Sequence, residues 1–266
     1  MTLKQLAEKT IHLAKARLDI IVFGVVSLIL TMVFSWLVFT GGGHPLKNNA
    51  ALLTDWRWSL AVFIGITLAW SSVDMYVVVT LVAGADRATW SIQRVRYCLR
   101  EFPNFIATGL LAGIRFIPSI LLVIPVVIVP ALVSAHVFAS NPALTSLGII
   151  PFMVLPVWWG SARLTASPFL AASTIHRYWS ATRESVAVYR LNARLMFALV
   201  APIYITMVVY VAILAFRAST LELPVSASTN ATPTYTIVSS LIGFVYRLMV
   251  AAFIRETYPP DEITAV

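Results

Sequence analysis

Asp74, Arg115, Arg163 and Arg247 are ionisable residues standing inside long apolar stretches. Such residues do a narrow range of chemistry there. A guanidinium is a permanent cation whose planar fork of donors matches phosphate or carboxylate oxygens, and an aspartate can share its charge. One carboxylate does not neutralise three guanidinium groups in a poorly screened interior, so the set has room for an anion. A phospholipid headgroup or a small anionic solute is the expected ligand. Two plainer readings compete. Arg163 and Arg247 could lift their charges to the headgroups, or Asp74 could form a purely structural pair with one arginine.

Other chemistry leaves no trace. His12, His44, His136 and His176 are isolated from one another and from carboxylates at ligand spacing, so neither a metal nor another cofactor is expected. "GGGH", Gly41 to His44, lacks the following Lys-Ser/Thr of a phosphate loop and reads as a helix stop. Neither G-x-S-x-G nor H-E-x-x-H occurs, no catalytic residue is assigned, and the chain is not expected to be an enzyme. Cys98 stands alone, which excludes an intrachain disulfide.

The elements that must carry the four residues follow from composition. Hydrophobic residues make up 59% of the 266 and charged ones 11%, against about half and a quarter in soluble domains. The whole chain, 1–266, reads as a single all-α membrane domain. Six transmembrane helices are expected at about Ile20–Thr40, Ser59–Gly84, Phe105–Val129, Leu147–Leu170, Leu195–Phe216 and Tyr235–Ile254. The first is too long for the apolar core of a signal peptide and has no A-x-A site, so it reads as a retained helix. Pro118, Pro125 and Pro130 predict a kink or break in the third. Counted from each span's inner end at about 1.5 Å per residue, Asp74, Arg163, Arg115 and Arg247 lie about 15, 10, 16 and 11 Å deep. They share one slab.

Basic residues alternate between the connections. Lys4, Lys9, Lys15 and Arg17 precede the first span, Arg87, Arg94, Arg96 and Arg100 join the second to the third, and Arg177, Arg183, Arg190 and Arg194 join the fourth to the fifth. The opposite loops hold Lys47, Arg57 and Arg217. The positive-inside rule then places both termini in the cytoplasm, with the bacterial inner membrane as the expected location. The net charge of +8 is accounted for by this signal and by anionic lipid as partner, without nucleic acid. Arg94, Arg96, Arg177 and Arg183 are the expected lipid-interface contacts, on two basic amphipathic segments that read as short interfacial helices. Trp56, Trp58, Tyr235 and Tyr258 stand where an aromatic belt would put them.

"WSIQR" (Trp90 to Arg94) overlies "WSATR" (Trp179 to Arg183), and the same shift pairs Trp70 with Trp159 and Asp74 with Arg163. This predicts a weak internal repeat of a basic segment followed by two spans. Leu3, Ala7, Ile11, Ala14 and Leu18 follow helical spacing, so the N-terminal arm is expected as a helix lying at the inner interface.

"ARLTASPFLAASTIHRYWSATRESVAVYR", followed by a new span, resembles the six-helix membrane domain attached to some glycerophosphodiester phosphodiesterases and its stand-alone relatives. The resemblance rests on Arg163, Leu164 and Pro168 in a late helix, Ser185 in the amphipathic stretch after it, and the "AAFIRE" ending at Glu256. Where the family often carries an acidic residue after the proline, this chain has Ala172 and Ser173. The phosphodiesterase barrel has no counterpart, so the resemblance implies a topology and no enzymatic activity. Two functions remain open. In one the protein binds, moves or senses an anionic lipid or solute at the Arg/Asp cluster. In the other it is a structural or regulatory protein docking partners through its basic cytoplasmic segments.

Overall fold

Leu18 to Thr40 carries one charge, Asp19, at its very start, and apolar sequence of this length has only its own backbone groups as hydrogen-bond partners in lipid. It forms a helix. The computed structural model describes residues 1–15, 17–40, 60–61, 64–65, 68, 71–73, 75–76, 92–137, 142–173, 176–220 and 232–258. Among them every regular element is helical: α1 (Leu3–Lys15), α2 (Leu18–Thr40), α3 (Ile92–Leu121), α4 (Val123–Val137), α5 (Pro142–Leu164), α6 (Ser167–Ser173), α7 (Tyr178–Leu191), α8 (Ala193–Thr220) and α9 (Thr232–Thr257). Residues described between 60 and 76 are helical too. Most of the second expected span lies outside the described residues.

Four stretches among the described residues are long and apolar enough to cross a membrane: Arg96–Ser134, Gly148–Ala172, Ala193–Ile213 and Ile237–Thr257. They coincide with the third to sixth expected spans, so this is an all-helical membrane protein. The third is not bounded as its sequence suggests. Its 39 residues rise about 60 Å, twice the thickness of a bilayer core. Part of the surplus is the basic start of α3, where Arg96, Leu99 and Arg100 are exposed. That segment is helical as expected, but it runs straight into the span instead of forming a separate short helix. The expected bend falls at Leu122, where Pro125 cannot donate to the carbonyl of Leu121. The ladder resumes at once, through Leu122 N to Pro118 O at 3.0 Å and Val126 N to Leu122 O at 3.3 Å.

The fourth expected span also divides. Helix α5 stops at Leu164, Thr165 and Ala166 form a turn, and α6 begins at Ser167. Pro168 is the cause, because it has no N–H for the carbonyl of Leu164. The chain then folds back through α7, an amphipathic helix that buries Ala181, Thr182, Ser185 and Val188.

Helix α5 packs most extensively, against α8 on one side and α3–α4 on the other, while α9 packs against α8, α2 and α1. Small residues allow the close approaches. The ring of Phe244 lies on Gly24, Ser134 on Gly148 and Ser119 on Gly160, each where a Cβ would stand. Such small-residue contacts are how membrane helices gain dispersion energy without a hydrophobic driving force. The best-packed core lies where α1, α6, α7 and α9 meet, and Val250 to Ile254 of α9 are buried all round. In α1 the residues packed inward are Leu6, Thr10 and Ala14, while Leu3 and Ile11 of the expected stripe remain exposed. The arm thus has two faces, one for α9 and one left free for an interface.

Candidate functional site

Three helices converge on one polar cleft. Its volume is about 500 Å³, and it is lined by Arg115, Pro118 and Ser119 of α3, Gly160, Arg163 and Leu164 of α5, and Arg183, Val186, Ala187 and Arg190 of α7. Residues 183, 187 and 190 recur at helical spacing, so α7 turns one stripe into the cleft and the opposite one into the core. Among the described residues no hydrogen bond or ion pair engages the guanidinium of Arg115, Arg163, Arg183 or Arg190.

Aromatic rings fix the two deeper arginines. The Arg115 guanidinium lies 4.7 Å from the centroid of Trp179 in α7, and that of Arg163 lies 4.3 Å from the centroid of Trp159. A cation–π contact holds a guanidinium without using up its N–H donors, which stay available for an oxygen ligand. Trp159 is one turn before Arg163, so the charge points back along α5, as helical Cα–Cβ bonds tilt. That is away from the basic end of the helix, the opposite of a side chain lifting to the expected inner headgroups.

The sequence motif around Arg163 acquires a physical reason here. The buried Ser185 hydroxyl donates to the backbone carbonyl of Arg163 at 2.8 Å. The Pro168 break leaves the end of α5 without a continuing ladder, and a serine from α7 supplies the donor. Replacing Ser185 with alanine would leave that carbonyl unsatisfied, at about 1–3 kcal/mol. Thermal unfolding in detergent should show the loss, and an unchanged midpoint for Ser185→Ala would mean that the break holds itself.

The other expected site residues are distributed differently. Asp74 lies outside the described residues, so its partner among the arginines is not placed. Arg247 does not line the cleft, and its guanidinium folds back toward Gly243 on α9. Arg94 lies in the first turn of α3, and Arg96 is exposed on the next. Arg177 is engaged by protein: it donates to Ala171 O at 2.8 Å and His176 O at 3.1 Å and pairs with Glu101 at 3.4 Å. This places a cation at the C-terminal end of α6, where helix carbonyls favour one. Glu101 also accepts from Asn104 at 2.8 Å, and Tyr178 donates to Asn104 at 2.6 Å, which ties α3 to the α6–α7 turn. Tyr178 takes a φ of 48°, a strained conformation for an aromatic residue that this network holds in place. Tyr258 is a buried clamp on Glu184, 2.8 Å away, and no part of an aromatic belt.

Sequence reasoning missed Arg190 and gave Arg183 to the lipid surface. Their spacing of seven, with Trp179 one turn earlier, was the available signal. It also missed a second polar cluster. Arg17 and Asp19 form a buried two-bond pair, Nε to Oδ1 at 3.0 Å and Nη2 to Oδ2 at 2.9 Å, and Tyr76 donates to the same carboxylate at 2.7 Å.

A neighbouring cleft of about 310 Å³ lies between α3, α5, α8 and α9, is mostly apolar, and shares Leu164 with the first. Its polar feature is the Ser161–Tyr204 hydroxyl pair at 2.6 Å. Among the described residues no group of three or more His, Cys, Asp or Glu could hold a metal ion. The fold and cleft define a class, that of an all-helical membrane protein with a polycationic pocket against its spans. No family model, no curated protein and no solved structure matches the chain.

Proposed function

We propose that this protein binds, and moves or senses, an anionic lipid headgroup or small anionic solute at the cleft between α3, α5 and α7. One observation carries the reading. Four guanidinium groups from three helices line a single cleft with no described carboxylate among them. Like charges brought together repel, and an anion relieves that cost. The site keeps Arg115 and Arg163 of the sequence reading and replaces Arg247 with Arg183 and Arg190.

The surrounding architecture in this proposal is six spans in a bacterial cytoplasmic membrane with both termini inside, α2 and the 60–76 region supplying the first two. The alternation of basic connections supports that orientation. The internal repeat belongs to this proposal as well: a basic helical segment leads into an apolar one both in α3 and from α7 to α8, although α3 is unbroken at Pro103, the counterpart of the break at Asn192. The resemblance to the phosphodiesterase-associated membrane domain is supported by the contact of Ser185 with Arg163, which brings two of its motif positions together.

Native mass spectrometry of the full chain tests the function. Anionic lipids should be retained over phosphatidylcholine of matched chain length, and Arg115→Gln with Arg163→Gln should remove the preference. Retention that ignores headgroup charge would end the proposal. Impermeant labelling of a Lys4→Cys, Cys98→Ser chain in oriented vesicles should occur from the inner side alone, and outer labelling would reverse the topology.

A further inference from the structure

We infer that the arginine cleft is built for a terminal phosphate group, carrying two or more negative charges, in preference to the singly charged phosphodiester of most membrane lipids. The inference rests on the anion-site reading above and narrows it by charge and shape.

Charge comes first. Arg115, Arg163, Arg183 and Arg190 bring four permanent cations to the same cleft. A phosphodiester carries about one negative charge near neutral pH, and a phosphomonoester about 1.5 to 2. The second charge is attracted by all four guanidinium groups, of which Arg183 and Arg190 are exposed and Arg115 and Arg163 half-buried.

Shape points the same way. The donors approach from α3, α5 and α7, three separate walls. Trp179 and Trp159 hold Arg115 and Arg163 by cation–π contact, and no side-chain hydrogen bond among the described residues takes their N–H groups, which remain for the ligand. A terminal phosphate offers three non-bridging oxygens and can meet three walls at once. A diester offers two, with a substituent where the third would be.

The group could arrive on a lipid or on a soluble ester. Beside the exposed Pro118, the surface of α3 carries exposed Ile114, Ile117 and Leu121, along which acyl chains could lie while the phosphate sits in the cleft. Soluble esters would enter without using that surface. The recognised chemistry is common to both.

The experiment uses the full chain, with retention of phosphatidic acid, phosphatidylglycerol and phosphatidylcholine of identical acyl chains measured by native mass spectrometry. Phosphatidic acid should be retained about tenfold or more over phosphatidylglycerol. Arg163→Gln and Arg183→Gln should each bring the two anionic lipids level, Arg163→Lys should fall between, and Lys4→Gln, on the exposed start of α1 and outside the cleft, should leave the preference unchanged. Melting curves of each variant show that it remains folded, and the Lys variant keeps the test alive should a Gln variant fail. Glycerol phosphate added as competitor assigns the source: displacement of phosphatidic acid favours a soluble ester, and resistance favours the lipid, each with the terminal phosphate retained. Equal retention of the two anionic lipids by the unmodified protein would overturn this inference and leave the anion site standing. Retention of neither above phosphatidylcholine, without effect of glycerol phosphate on melting, would remove the site itself.

Discussion

Asp19→Asn is expected to destabilise the protein by about 3 kcal/mol, because the carboxylate it replaces accepts two charge-assisted hydrogen bonds from the buried Arg17 guanidinium. Arg17 and Asp19 are each 3% exposed, with both carboxylate oxygens engaged by the guanidinium. Asparagine keeps the volume and an acceptor for Tyr76, so the loss isolates charge from shape. Replacing both partners with apolar residues, as in Arg17→Met with Asp19→Leu, should recover most of the stability, because neither charge is then buried. Tyr76→Phe should cost about 1 kcal/mol. Chemical unfolding of these chains, with Arg17→Met and Asp19→Leu alone beside the unmodified protein, in one detergent gives the comparison. Additive losses for the two charge removals would show that the pair does not act as a unit.

Gly160→Leu is expected to have the next largest effect, and it should damage both fold and cleft. Even a Cβ at Gly160 would overlap Ser119 and reach 2.7 Å from the Phe116 ring. The clash with Ser119 includes its Cβ, an atom fixed to the α3 backbone, so the helices must separate. Overpacking of this kind costs about 1–3 kcal/mol and more for a larger side chain. Gly160 and Ser119 both line the arginine cleft, so Arg163 and Arg115 move apart with their helices. Gly160→Ala should lower the melting point by several degrees and weaken anionic-lipid retention. The control is Gly113→Ala on α3, where a Cβ meets nothing within 4 Å and alanine gains about 1 kcal/mol of helix propensity. A melting point for Gly160→Ala at or above that of the unmodified chain would refute the close α3–α5 contact.

The sequence reading succeeded where one dimension was enough. Apolar length found α2 to within two residues of its start, and the prolines at 125 and 168 mark the two places where long apolar runs bend or break. The second break was missed because Pro168 was read within a continuous span, although its missing N–H predicts the defect as directly as Pro125 does. Depth brought Arg115 and Arg163 to one level, and they do line one cleft. Arg247 was counted to a similar level and yet does not line it, since depth is one coordinate of three. Neighbouring helices cannot be inferred from spacing alone. The return of α7 across α3 and α5 depends on tertiary contacts, such as Ser185 with Arg163 and Tyr178 with Asn104, which no periodicity encodes. Arg17 and Asp19 were read as an inner basic arm and a span boundary, and their burial arises only when Tyr76 closes over them.

The all-round burial of Val250 to Ile254 has a consequence for how the protein is made. These residues are synthesised long after Leu6 and Ile20, which belong to the same core. Helix α1 therefore waits until α9 has been made before its packing partner exists, and the joining contacts close a long loop. Until then the inner surfaces of α6 and α7 lie open beside the translocon, with Phe169 and Leu170 uncovered on that side. A ribosome stalled before residue 248 would hold a chain whose spans are inserted but whose core has not yet formed, a natural substrate for membrane quality control.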